Sequence, residues 1–432
     1  MKVALIVPRS VAFFDREEDR EISEIMVRMS NAFRLIGTFK AALPLLAGLL
    51  PDDVECRIID DTFEEIDFDE DFDLVVITAM TTQALRGYAI ADAFRKRGVH
   101  VVMGGIHVTL MPEEAIAHAD TVIVGEAEET WPRFFDDVLH HRAQSYYKAP
   151  GPADLTRSPL PRFDLLDVRY NMPTIQTTRG CPYDCDFCAA TRIFGRGFRH
   201  KTVDQVIREV EAVKRIWGSS PIYFTDDNMC VNRKFTQALL RELIPLKITW
   251  NTSTDVSVAY DEELLEWMAE SGCTLLFFGF ESMSEEGLAS VSEWKRRQLK
   301  EYPKVVEKVR SYGIEVFASF IVGLDGDDGA IFNCIENFIT ENGIFRFFIP
   351  ILTPFPGTKL REKFIRENRL LDTDWDHYNQ WEVNFVPKRM TVEELREGHR
   401  DLHRRLYTPE VVAKMRKGIR DSYRAAFKKT AT

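Results

Sequence analysis

The sequence predicts an α/β protein: a doubly wound parallel sheet, then a partial (β/α)6 barrel, then a small helical carboxyl-terminal extension. Three observations carry that expectation. Short β-branched runs alternate with amphipathic segments over residues 1–140, and the same rhythm starts again near residue 173. Between the two series, residues 141–172 hold four prolines and no sustained period, which marks a linker. Beyond residue 360 the pattern is charged and helical. At 432 residues the chain suits two or three domains, each able to bury a core.

In the first series, Lys2–Val7, Cys56–Asp60, Leu74–Ala79, His100–Gly105 and Thr121–Glu126 read as buried strands, with helices such as "ALRGYAIADAFRKRG" between them. A parallel sheet of this kind takes ligands beyond the carboxyl ends of its strands. The residues to watch there are Thr78 to Thr81, Gly104, Gly105, His107, Gly125 and Glu126.

The second series offers six strands: Thr174–Thr178, Ile222–Asp226, Ile248–Thr254, Thr274–Phe280, Glu315–Gly323 and Phe345–Leu352. Its first helix is the most explicit. Thr202 and Gln205 form a capping box, Val203, Val206, Ile207, Val210 and Val213 make one apolar stripe, and Gly218 stops the helix. Six units are fewer than the eight of a closed barrel, so the barrel is partial.

Composition bounds the function. Hydrophobic residues make up 45% and charged residues 29%, and the formal charge of −12 argues against a nucleic-acid binder. Residues 52–73 are strongly acidic, whereas from Lys388 onward 13 Lys and Arg face 6 Asp and Glu; both read as solvated faces, with a basic tail on an anionic surface as the alternative. No run of about 18 uncharged apolar residues appears, and "MKVALIVPRSVAFF" has no small-residue cleavage site. The expectation is a cytoplasmic protein without a transmembrane segment. Seven cysteines, an odd number, then read as reduced thiols.

Three of the seven stand together in "GCPYDCDFCAA" as Cys181, Cys185 and Cys188. Structural zinc needs four protein ligands, and His200 is the one nearby candidate for a fourth. A four-iron four-sulfur cluster on three thiolates keeps one iron open, able to chelate a small molecule and pass it an electron. Cys273, Cys334 and Cys230 read as core thiols, Cys56 as part of a strand, and Trp250 and "FRFFIP" as barrel packing.

The CxxxCxxC spacing with Phe187 ahead of the last cysteine, after the first strand of a six-unit series, resembles the radical S-adenosylmethionine (SAM) superfamily. The resemblance implies a four-iron four-sulfur cluster on Cys181, Cys185 and Cys188, and SAM bound at its open iron and cleaved to a 5′-deoxyadenosyl radical. It also implies a source of single electrons such as a flavodoxin or ferredoxin. Asp226, Asp227 and Asn228 in "YFTDDN" stand where the superfamily meets the SAM amino group, with carboxylates in place of its glycines. Gly279, Glu281 and Ser282 in "FGFES" stand at the ribose position, and Val322 and Gly323 in "FIVGLDG" at the adenine position; "LTPFPGT" resembles the turn after the sixth strand.

The stretch "VVMGGIHVTLMPEEAIAHADTVIVGEAEETWPRFFDDV" resembles the Rossmann-like cobalamin-binding domain that precedes the radical SAM domain in a group including hopanoid methylases and the anaerobic cyclase of bacteriochlorophyll synthesis. This implies cobalamin above Thr78, Thr81, Gly104, Gly105, His107, Gly125 and Glu126. The DxHxxG signature that supplies an axial histidine elsewhere is absent, and the sequence from residue 60 reads "DDTFEEI". His107 could be a ligand by residue type, or pack, or bind a phosphate. The resemblance implies a cobalamin-dependent methylase acting on an unactivated carbon of a small-molecule or lipid-like substrate. Ring formation, rearrangement or aminocarboxypropyl transfer is the alternative enzyme class, and an iron-sulfur or cobalamin sensor the non-enzymatic one.

Overall fold

The computed structural model describes residues 1–10, 41–166, 169–170 and 172–417. Part of the basic carboxyl-terminal stretch lies outside these residues. The first sheet is parallel throughout: β1 Lys2–Val7, β2 Glu55–Asp60, β3 Leu74–Thr78, β4 His100–Gly104, β5 Thr121–Val124 and β6 Tyr146–Lys148, in the order β2-β1-β3-β4-β5-β6. The order reverses between β1 and β3, as a doubly wound sheet requires. Both faces are covered. Ile77, Phe94, Val101 and Met103 pack on one side, and Leu5, Val76, Val102, Trp131 and Phe134 on the other. That two-sided burial explains the near-continuous apolar strands.

Strand β6 lies inside the segment expected as a linker. The sequence hides it because only Tyr147 of its three residues points inward, where its hydroxyl donates to Asp137 at 2.7 Å. Downstream, the segment keeps short turns and docks on the barrel through Phe163.

The second sheet is also parallel. Strands β7 Thr174–Ile175, β10 Ile222–Phe224, β11 Trp250–Thr254, β12 Cys273–Glu281, β13 Glu315–Phe320 and β14 Arg346–Phe348 stand in sequence order. The first expected strand, 174–178, is split. After two residues of β7 the chain turns, and β8 Thr178–Arg179 pairs antiparallel with β9 Arg199–His200 in a separate ribbon. The helix Val203–Trp217 begins as expected: Gln205 N donates to Thr202 Oγ1 at 3.2 Å, Thr202 N donates to Gln205 Oε1 at 2.8 Å, and Gly218 ends it at φ +63°.

Cys230, Cys273 and Trp250 are buried, as expected. Cys334 is not a core residue: it is exposed, on the outer face of helix Ala330–Glu341, whose inner stripe is Ile331, Phe332, Ile335, Phe338 and Ile339. The apolar residues on either side of it hide that Cys334 shares the outward face with Asn333 and Asn337. The carboxyl-terminal helix Val392–Leu406 packs on the same core through Leu395, Leu402 and Leu406. No helix among the described residues is long and apolar enough to cross a membrane.

Candidate functional site

The cysteine loop leaves β8 through Gly180, which sits at φ +90°. A Cβ there would lie 2.3 Å from the Gly197 carbonyl oxygen, so only glycine lets the two ends of the loop pass. Cys181, Cys185 and Cys188 are half-buried and unbridged. Burial pushes the Cys181 thiol up to about 11 and Cys185 up to about 12, and raises Cys188. Cys188 also raises Cys181 and Cys185, Asp227 adds to the effect on Cys181 and Cys188, and Glu281 to that on Cys185 and Cys188. Without a compensating positive centre they stay neutral near pH 7. Soft donors held together in a place that disfavours their own free anions fit a metal cluster, which would hold them as thiolates. Among the described residues, no three His, Cys, Asp or Glu side chains surround one point that a single ion would take. Thiolates of a cluster attach to separate irons.

Asp226, Asp227 and Asn228 follow β10 and divide their work. Asp226 is 3% exposed and faces inward. It accepts from Thr177 N at 2.7 Å, Thr177 Oγ1 at 2.5 Å and Thr178 N at 2.8 Å, stitching β10 to the segment that leads to the cysteines. Burial raises its carboxyl to about 6. Asp227 stands closer to the thiols and accepts from Gly180 N at 3.3 Å; burial raises it as well. Asn228 donates to Asp255 Oδ2 at 2.7 Å, and Tyr183 of the cysteine loop donates to the same oxygen at 3.4 Å.

Gly279, Glu281 and Ser282 lie at the end of β12, where the register with β13 shifts between Gly279 and Glu281. Glu281 takes φ +67°, a conformation unusual for a residue with a side chain. The bulge turns its carboxylate onto Lys295, whose Nζ donates to Glu281 Oε1 at 2.5 Å and to the Gly279 carbonyl at 2.9 Å. A Cβ on Gly279 would stand 2.4 Å from Glu281 Oε1, so the glycine makes room for this pair. Lys295 is the charge that opposes the upward push on Cys185. Its neighbour Trp294 stacks on Tyr183 with ring centroids 5.6 Å apart, which ties the helix Glu293–Gln298 to the cysteine loop. Nothing in "SEWKRRQ" marks Lys295 for this place, since three basic residues in a row read as a solvated face.

Val322 and Gly323 follow β13. Asp327 Oδ2 accepts from Gly323 N at 3.1 Å and Leu324 N at 3.0 Å, while Ser282 Oγ donates to its other oxygen at 3.5 Å. The ribose and adenine positions of the sequence reading are therefore one connected turn. Phe187 packs partly buried against the barrel core.

At the first sheet, Thr78, Gly104 and Gly125 are half-buried on the carboxyl edge, with Thr81 buried beside them. Gly105 has φ +97°, and a Cβ would meet Thr78 Oγ1 at 2.6 Å and Ala79 N at 2.9 Å. This edge of backbone and small side chains fits a flat ligand. Two of the expected contacts are placed otherwise. The His107 ring is fully buried between Tyr88 and Trp375, with centroids 6.2 and 5.1 Å away, and burial lowers its pKa. It packs. Glu126 is 7% exposed; its Oε2 accepts from Arg179 Nη1 at 2.6 Å and from Arg199 Nη1 at 2.9 Å, and its Oε1 pairs ionically with Arg199 Nη2 at 2.8 Å. Arg179 and Arg199 were not singled out in the sequence, although one immediately precedes "GC". Of the "DDTFEEI" stretch, Asp61 pairs through both oxygens with Arg86 at 2.8 Å, and Asp60 accepts from Tyr170.

Comparison with known proteins agrees with this geometry. Residues 175–332 match the radical SAM superfamily, residues 39–135 the B12 binding domain, and residues 358–431 a domain of unknown function. The chain is 30% identical over 358 residues to the bacteriochlorophyllide d C-8(2)-methyltransferase of Chlorobaculum tepidum, covering 79% of each chain. It is 27% identical over 431 residues to the hopanoid C-2 methylase of Rhodopseudomonas palustris, covering 92% of this chain and 79% of that one. Its fold matches the radical SAM methyltransferase TsrM of Kitasatospora setae, solved with cobalamin and an iron-sulfur cluster bound, at a TM-score of 0.72 and 16% identity, covering 95% and 89% of the two chains.

Proposed function

The chain belongs to the cobalamin-dependent radical SAM methyltransferases, and from that premise we propose which of its residues hold the two cofactors and what kind of molecule it methylates. Its cofactors are a four-iron four-sulfur cluster, SAM and cobalamin. When bound, the cluster supplies one electron to the sulfonium of SAM, and cobalamin carries the methyl group to carbon.

In this reading Cys181, Cys185 and Cys188 hold the cluster, and the observation that carries it is their half-buried loop, where free thiolates are disfavoured and a metal is the missing countercharge. Asp227 and the Glu281–Lys295 pair border the loop and are the polar groups available to the amino and carboxylate ends of SAM. Asp226 acts as a brace beneath them, because its lone pairs are taken by Thr177 and Thr178. The turn Ser282, Asp327 and Val322–Gly323 shapes the nucleoside end. Thr78, Thr81, Gly104, Gly105 and Gly125 take cobalamin by backbone approach, without an axial ligand from His107.

The relatives named above are a bacteriochlorophyllide methyltransferase and a hopanoid methylase, and from them we infer a small-molecule or lipid-like substrate. A one-electron donor such as a flavodoxin or ferredoxin completes the system. Anaerobic incubation of the reconstituted protein with SAM and a chemical reductant tests the reading. It predicts 5′-deoxyadenosine or S-adenosylhomocysteine among the products; SAM recovered intact in the presence of both loaded cofactors would end it.

A further inference from the structure

We propose that Glu126 is a positioning residue that fixes the cysteine loop, and with it the cluster, relative to the cobalamin-binding edge of the first sheet. The inference rests on the reading of the two cofactor sites given above. Glu126 directly follows Gly125 at the end of β5, so its backbone belongs to the edge proposed for cobalamin. Its carboxylate does not face that edge for a ligand's use. Oε2 accepts from Arg179 and Arg199, and Oε1 stands 2.8 Å from Arg199 Nη2, so both oxygens are committed.

The two arginines are the two ends of the cysteine loop. Arg179 and Arg199 are cross-strand partners in the β8–β9 ribbon, and the loop bearing Cys181, Cys185 and Cys188 runs between them. Between Arg179 and Cys181 lies Gly180 alone, held at φ +90° against the Gly197 carbonyl, which leaves little play. Arg199 also donates to the Phe194 carbonyl inside the loop at 2.9 Å and to the Ala153 carbonyl of the connecting segment at 2.8 Å. One carboxylate from the first sheet thus grips both roots of a loop belonging to the second.

The grip is dry. Side-chain exposure is 4% for Glu126, 9% for Arg179 and 19% for Arg199, so salt screens it weakly. Glu128 stands 2.6 Å from Arg179 Nη1 without hydrogen-bond alignment and balances the second guanidinium. Two charges of each sign are therefore closed on one another at the boundary. Planar guanidinium forks impose direction as well as attraction, which is what a positional device needs.

The test is the distance between the cofactors. The full chain would be loaded anaerobically with hydroxocobalamin and a reconstituted cluster, then reduced so that both centres are paramagnetic, and the inter-spin distance distribution measured by pulsed EPR. The wild type should give one narrow distribution. Glu126→Gln, at unchanged iron and cobalamin content, should broaden it about twofold, because the supporting contacts that hold a site to fractions of an ångström are loosened. Glu315→Gln removes a charge from another, partly buried pair, with Arg346 at 3.1 Å on the second sheet, and should leave the width unchanged. If Glu126→Gln fails to fold, Arg199→Lys decides, since it keeps the charge and loses the two-pronged grip. An unchanged width in the variant that folds would overturn the proposal, as would loss of cobalamin alone from Glu126→Gln. A wild type that loads neither cofactor would instead refute the underlying assignment of the sites.

Discussion

Replacing Asp226 with asparagine should stabilise the apoprotein at neutral pH and leave it nearly unchanged in acid. The carboxyl is fully enclosed, and burial outweighs three hydrogen bonds to lift its pKa from 3.8 to about 6. The folded state therefore holds the proton more tightly than the unfolded chain. This contribution to stability is fully present below about 3.8 and is lost as pH rises through about 6. A difference of roughly two units corresponds to about 3 kcal/mol. An asparagine oxygen can accept from Thr177 N and Thr178 N, and its amide can donate to Thr177 Oγ1, so the isostere keeps the stitch without a charge. Thermal unfolding of wild type and Asp226→Asn between pH 4 and 8 should give melting temperatures that are nearest at pH 4, separate as pH rises to about 6 and keep a constant gap above it. For a cooperative unit of 150–250 residues the gap at pH 7.5 is roughly 6–12 °C. Asp226→Ala, which orphans two buried N–H groups, should cost about 2–6 kcal/mol in acid and about 3 kcal/mol less at neutral pH, where it also removes the buried charge. A difference between wild type and Asp226→Asn that favours the wild type at neutral pH would refute the reasoning, because the carboxylate would then be ionised and stabilising. A rise of tenfold or more in the KM for SAM without a stability change would return Asp226 to direct contact with the amino group.

Other consequences are separable. Cys185→Ser should lower iron per chain in the reconstituted protein and abolish SAM cleavage, while cobalamin content stays normal; full iron with full cleavage would remove this cysteine from the ligand set. Gly180→Ala should lose most of its cluster, since the left-handed backbone costs about 1–2 kcal/mol and the added Cβ also meets the Gly197 carbonyl. Gly218→Ala shares the backbone cost without the clash, at φ +63° with nothing within 4 Å, and should keep its iron. Lys295→Met leaves Glu281 buried without its partner and should cost about 3–5 kcal/mol in denaturant unfolding, much of it recovered in the double variant with Glu281→Gln. Strict additivity of the two changes would show that the pair does not interact.

Strands such as β1, β3, β5, β10 and β13 were legible because each is buried on two faces and so reads as an apolar run. β6 was not, since a strand whose outer residues are exposed leaves one buried tyrosine as its entire signal. The cysteine triplet and Gly105, Gly125 and Gly323 after the strands were legible for a different reason: chemistry fixes the former and positive φ the latter. What the sequence withholds is which polar residues face the site and which face one another. Asp226 and Asp227 are adjacent and identical, yet one points to Thr177 and the other to Gly180. Glu126 ends a strand just as a ligand contact would, and only the fold brings Arg179 and Arg199 to it across about 50 and 70 residues of chain. Lys295 reaches Glu281 because a bulge turns the carboxylate, and a bulge has no composition of its own.

The most direct test is the EPR spectrum of the reduced, reconstituted protein before and after SAM is added. If Cys181, Cys185 and Cys188 hold the cluster as proposed, its open iron would take SAM as a ligand, so the cluster signal should change its g values in the wild type. A spectrum indifferent to SAM, or a purified chain that carries zinc in place of iron at these cysteines, would contradict the account.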